Sequence, residues 1–185
     1  MMVKAHENCM SFWRTVFESF GFFVLYQMCK GGVKVQDFRS RTENQIFGVR
    51  ATALIIQNNQ IYLNRNENNQ YYTIGGAICV NELSEDAVRR EVMEEVGLSV
   101  EVERLAFVVE NHFTQSDVQF HNIEFHYIVR PLEEPNSSMI EEGENRICEW
   151  VDLEELQNID LVPHFLKEEL QNLTDTVKHI RITEN

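Results

Sequence analysis

The chain of 185 residues has few cysteines, few basic residues and no long apolar run, and each shortage excludes a class of protein. Its four cysteines, Cys9, Cys29, Cys79 and Cys148, are scattered, with no C-x-x-C pair and no histidine at zinc-finger spacing. That pattern argues against a disulfide scaffold or a zinc ribbon and suits reduced thiols in a cytoplasmic protein. Lys and Arg number 16 against 30 Asp and Glu, for a formal net charge of −14. A broad nucleic-acid-binding surface is therefore not expected. A phosphorylated substrate is compatible with this charge, because a bound divalent cation reverses the local sign. The longest uncharged stretch near the start, Ser19 to Cys29, is too short for a transmembrane helix, which needs about 20 apolar residues. There is no internal repeat, and the length suits one domain with a single substantial core.

Residues 1–44 differ in character from the rest of the chain. A signal-peptide reading is disfavoured, since Glu7 and Glu18 interrupt the positive flank and no small-x-small cleavage site comes after the apolar stretch. Two readings stay open. The segment forms an amphipathic helix whose Phe12, Phe20 and Phe23 pack on the domain or on a second copy, giving a homodimer. Alternatively, in a bacterial source, translation starts at Val33 or Val35 after Lys30-Gly31-Gly32.

From Ile46 the chain is strand-like. Ile46–Ile56, a turn over Gln57–Gln60 and Ile61–Leu63 predict a hairpin, and Tyr71–Ile74 a short strand after a polar loop. Ser84 as N-cap, Val88, Val92 and Val96 as a buried stripe, and Gly97 as the left-handed terminator predict a helix. Strands are expected over Val100–Val109, Asn122–Val129 and Ile147–Val151. Pro131–Asn145 reads as a long acidic loop, Leu153–Gln157 and Pro163–Leu173 as helices, and residues 174–185 as a frayed tail. The domain is thus expected over residues 45–173.

The chemistry is concentrated between Gly75 and Leu98, GGAICVNELSEDAVRREVMEEVGL. A helix turns about 100° per residue, so Glu91, Glu94 and Glu95 leave one face within roughly one turn. On their own such glutamates are usually a solvated surface. Held together they repel unless a cation sits among them, and an oxygen-only donor set favours Mg²⁺, with Mn²⁺ as the alternative.

Gly76, five residues, Glu82, seven residues, then Arg90-Glu91-Val92-Met93-Glu94-Glu95-Val96-Gly97-Leu98 resembles the Nudix box at every defined position. The resemblance implies an α/β fold, an α/β/α sandwich on a mixed sheet, and hydrolysis of a small nucleoside-diphosphate derivative. It also implies roles: Glu94 and Glu95 as core Mg²⁺ ligands, Glu91 as a further ligand or the group activating water, and Arg90 as the orienter of the glutamates. Glu82 would be an added ligand or an outer support, and the Gly75 carbonyl a ligand. Many relatives carry Pro, an acidic residue and Gly where Ile74, Cys79 and Asn81 stand here, which bears on loop conformation. Cys79 is expected to be a plain loop thiol.

Outside the box, Glu124, Glu141, Glu142 and Glu144 are candidates for a further base or ligand, each otherwise a solvated carboxylate. His112, His121 and His126 read as strand or surface histidines. Arg50, in an apolar strand, must meet either substrate phosphate or an internal carboxylate; Arg50 and Glu124 are the substrate-binding candidates. Phe47, Tyr72 and Phe113 are read as core. The competing functional class is a nucleotide-sensing or partner-binding module of weak catalysis, against which the intact box stands. A decapping enzyme or isomerase would need a basic track or second ligand cluster that is not evident.

Overall fold

The computed structural model describes residues 36–135, 138–141 and 144–183, the side chains of 138–141 and 144–146 excepted. The readings placed on residues 1–35 and on Glu142, and the side chains of Glu141 and Glu144, lie outside the described residues.

The central strand, β2 (Gln45–Gln57), follows β1 (Arg39–Arg41) and turns through Asn58-Asn59 into β3 (Gln60–Arg65). Both turn residues have positive φ, 51° and 62°, the geometry that matches strand twist in a two-residue hairpin. Next come β4 (Gln70–Tyr72), β5 (Ile74–Ala77) and the long helix α1 (Ser84–Val96). A hairpin of β6 (Val100–Gln115) and β7 (Val118–Pro131) comes next, then β8 (Ser138–Glu141), β9 (Glu144–Asp152), β10 (Asp160–Val162), a short helix α2 (Leu166–Glu169) and β11 (Lys178–Thr183).

The sheet is mixed. β2 runs parallel to β7 from Gln45↔Gln119 to Ile55↔Val129, and β11 runs parallel to β6. Antiparallel pairing joins β1 and β5 to β2, β6 to β7, and β9 to both β3 and β8. Alternation along β2 sends Ala51, Ala53 and Ile55 to one face, beneath Val88, Val92 and Val96 of α1. It sends Leu54 to the other, where Phe107, Val109 and Ile128 pack under Leu156, Leu161, Leu166 and Leu170. The result is the expected α/β/α sandwich, with both faces of β2 buried.

Several expectations are corrected. Residues 36–44 belong to the domain rather than to an extension: β1 pairs with β2, and Asp37 bridges to Cys79. The 174–185 tail contains β11, whose Ile180 and Ile182 pack on the second core. Part of the acidic loop 131–145 is a hairpin of β8 and β9. β6 and β7 run on past their apolar stretches, because pairing continues to a tight turn at Ser116-Asp117, φ 49° and 65°. Ser84 does not cap α1: the N-cap is Leu83, without a side-chain bond, and the Ser84 hydroxyl instead meets Tyr127 Oη at 2.6 Å. Gly97 closes the helix in the left-handed conformation, and its N–H donates to the Met93 carbonyl.

Since β11 carries core side chains, Ile180→Ala and Ile182→Ala are each expected to cost about 1–2 kcal/mol, less than at a fully buried site. Urea unfolding reads this as a lower midpoint at unchanged slope.

Candidate active site

Two backbones and one helix face build the site. β5 lies against β2 with Gly75 opposite Thr52 and Gly76 opposite Ala51. A Cβ on Gly75 would fall 2.3 Å from the Ala51 carbonyl oxygen, and one on Gly76 only 2.5 Å from Glu91 Oε2. The double glycine therefore serves close approach: the first lets β5 join β2, and the second leaves room for a carboxylate.

Arg90 ties the loop to the helix. Its Nε and Nη2 donate to the two oxygens of Glu82 at 2.6 and 2.8 Å, a bidentate pair. Nη1 donates to Glu91 Oε1 at 2.6 Å and Glu94 Oε2 at 3.1 Å, and Nη2 also reaches the Ala77 carbonyl at 3.0 Å. The second Glu82 oxygen further accepts the Cys79 N–H at 2.9 Å. The Gly75 N–H donates to Glu95 Oε2 at 3.4 Å, so the third helix carboxylate meets the start of the loop.

Glu91 is the unusual member. It is 4% exposed, and its Oε2 is buried without a hydrogen-bond partner. Burial raises its pKa, with Arg90 and Arg50 pulling the other way, and burial likewise raises that of Glu94. For Glu82, burial is outweighed by the bonds from Arg90 and Cys79, and its pKa falls. Glu94 and Glu95 also sit in the last turn of α1, which holds no basic residue to complement the helix dipole. The all-oxygen donor set and the orphaned buried carboxylate oxygen fit a hard divalent cation.

Arg50 donates from Nη2 to the Gly75 carbonyl at 3.0 Å, so that carbonyl already has one strong partner. Its charge is felt by both Glu91 and Glu124. Glu124 stands opposite Arg50 in register, 6% exposed, accepting from Asn111 at 3.1 Å and Asn122 at 3.4 Å, with His126 Nε2 at 3.1 Å. Burial raises the Glu124 pKa, but the His126 bond and the neighbouring charges bring it below the usual range. Glu124 is thus a buried carboxylate with three side-chain partners. Phe47 is 40% exposed, not core, and Tyr72 and Phe113 are half-buried. His112 and His121 face each other across β6 and β7, ring centroids 3.9 Å apart. Cys79 is buried, its thiol pushed up to about 11 by burial, which leaves it a poor nucleophile. Arg39, missed at the sequence level because it precedes the apolar strands, lies close enough to Arg50 and Glu91 for both charges to act on it.

A double glycine, the loop after it and a helix face of clustered carboxylates, set on an α/β/α sandwich, make up the candidate site. The NUDIX domain model matches residues 46–173, and the chain belongs to the Nudix hydrolase superfamily. Solved structures share the fold at low identity. The mutator MutT protein of Bacillus halodurans aligns at 14% identity and TM-score 0.58, over 71% of this chain and 86% of that one. An ADP-ribose pyrophosphatase of Streptococcus suis aligns at 19% and 0.52, over 72% and 98%. A UDP-X diphosphatase aligns at 16% and 0.53, over 96% and 85%.

The geometry sets two expected outcomes. Gly76→Ala is expected to leave the far-UV circular dichroism unchanged while weakening Mg²⁺ binding about tenfold or more, because the Glu91 carboxylate must move. Burial raises the pKa of both Glu91 and Glu94, so a Mg²⁺ ion taken up by them is expected to displace protons in mildly acid solution. Apparent affinity should therefore rise with pH above the ordinary carboxylate range, with proton release visible by calorimetry in buffers of different ionisation enthalpy.

Proposed function

We propose that this Nudix pyrophosphohydrolase cleaves the pyrophosphate bond of a small nucleoside-diphosphate-linked substrate, using Mg²⁺, or Mn²⁺ in its place, in the cytoplasm. The observation that carries the reading is the Arg90 clamp, which gathers Glu82, Glu91 and Glu94 while leaving a buried Glu91 oxygen without a partner.

Glu91, Glu94 and Glu95 would hold the cation, with the Gly75 carbonyl as a further donor through the lone pair that Arg50 does not take. Bound there, the cation would neutralise phosphate oxygens and acidify a water. Glu82 is spent on Arg90 and the Cys79 N–H, so it supports the ligands from outside. Glu91, with its raised pKa, is suited to accept a proton from the attacking water at Oε2. Arg90 keeps the carboxylates in register, which an ammonium would do less well. Arg50 and Arg39 lie on the β2 side, with their charge largely taken up by the Gly75 carbonyl, Glu91, Glu124 and Asp37, so the bound cation would supply most of the charge that meets substrate phosphates. Displacement at phosphorus needs chiefly such positioning and charge stabilisation.

The test is phosphate-product release from a panel of nucleoside triphosphates, nucleotide sugars, ADP-ribose and dinucleoside polyphosphates with Mg²⁺. Glu94→Gln and Glu95→Gln should each lower kcat by about a hundredfold or more on whichever substrate the wild type turns over. Chelator should abolish turnover and excess Mg²⁺ restore it. No turnover of any panel member by the wild type would instead favour a sensing module, and turnover indifferent to both substitutions would refute the site.

A further inference from the structure

On the face of the sheet that carries α1, but farther along the strands, Glu110 and His112 alternate on β6, and His121 stands directly opposite His112 on β7. One ligand atom from each of the three lies within 4.8 Å of the others. The Nε2 atoms of both histidines are buried without hydrogen-bond partners. Imidazole nitrogens buried without partners are costly unless something meets them. From β11, His179 Nε2 approaches Glu110 Oε1 at 2.8 Å. We propose that Glu110, His112 and His121 form a binding site for one divalent transition-metal ion of the Zn²⁺ class, separate from the carboxylates of α1.

The donor set selects the ion. Two imidazoles and a carboxylate suit Zn²⁺, Co²⁺ or Ni²⁺, whereas Mg²⁺ prefers oxygen throughout. Tetrahedral ligation at about 2.0–2.1 Å sets donors roughly 3.4 Å apart, so small side-chain rotations close the cluster. His179 acts on the carboxylate from outside, the usual way a ligand is oriented. The ion would also tie the β6–β7 hairpin to the C-terminal strand. His112 and His121 also line a groove of about 580 Å³ with Phe47, Phe113 and Phe120. The site is distinct from the α1 carboxylates: His121 lies four residues along β7 from Phe125, the partner of Ala51 and so level with Gly76, roughly 13 Å away.

The experiment uses the full chain, stripped with chelator and returned to excess Mg²⁺, with Zn²⁺ by equilibrium dialysis and Co²⁺ by visible absorption. The wild type is expected to take up a single Zn²⁺ and to show the intense bands of four-coordinate Co²⁺. His112→Gln and His121→Gln should each weaken Zn²⁺ binding by about a hundredfold or more, and His179→Ala by about tenfold. Zn²⁺ should shift the ring-nitrogen resonances of His112 and His121 in the unmutated protein, a readout that does not depend on any variant folding. Retention of Zn²⁺ by the His112→Gln/His121→Gln double variant would overturn the proposal. So would loss of Zn²⁺ in Glu94→Gln/Glu95→Gln but not in the histidine variants, or resonances unmoved by saturating Zn²⁺.

Discussion

The arrangement rests on a single guanidinium. Without Arg90 the loop and the helix would present carboxylates to one another with no charge between them to balance the repulsion. With it, Glu82 is held by two bonds, and Glu91 and Glu94 by one each from Nη1. A planar fork with several fixed donors suits this task because it constrains direction as well as distance. An ammonium in the same place would neutralise charge without choosing which oxygen of each glutamate faces outward.

The fold makes that clamp possible by giving the helix no freedom to retreat. Val88, Val92 and Val96 fix the rotation of α1 about its axis against β2 and β7, and rotation decides which side chains meet β5. Gly76 then completes the fit, since any larger residue would occupy the space the Glu91 carboxylate needs. Glu94 and Glu95 stand unfavourably at the negative end of the helix dipole, a local cost that burial of the valine stripe offsets and that the proposed cation site would account for.

What was legible in the sequence depends on the range of each interaction. The box helix, its buried stripe and its Gly97 terminus depend on neighbours within one or two turns, and all are found in place. The hairpin at Asn58-Asn59 is equally local. Ser84 misled because a serine before a helix suggests a cap, whereas its hydroxyl is taken by Tyr127 on β7, a partner 43 positions away. β11 was hidden for the same reason, since its short polar sequence reads as tail until the distant β6 supplies the pairing, and the β8–β9 hairpin was hidden because its acidic sequence reads as loop. In the candidate site the glutamates were readable from spacing. The nearness of Arg39 and the bond from Arg50 to the Gly75 carbonyl were not, since each depends on β1 or β5 lying beside β2.

The net charge of −14 sharpens what the site must do. Under the proposed function, a substrate bearing a diphosphate would approach an acidic protein, and at physiological salt the repulsion fades only beyond about 8 Å. Inside that distance local charge decides. Arg90 does little to attract substrate, because its guanidinium is engaged by Glu82, Glu91, Glu94 and the Ala77 carbonyl. Arg50 is shared between the Gly75 carbonyl, Glu91 and Glu124, and Arg39 has Asp37 at 3.9 Å. The protein's own cations are therefore largely balanced by its own anions. A polyanion would gain little by entering unless the glutamates held a cation, so the proposed function implies that substrate binding and cation loading are coupled. On that reading the acidic surface would disfavour unproductive phosphate binding to the empty site and leave the loaded site attractive.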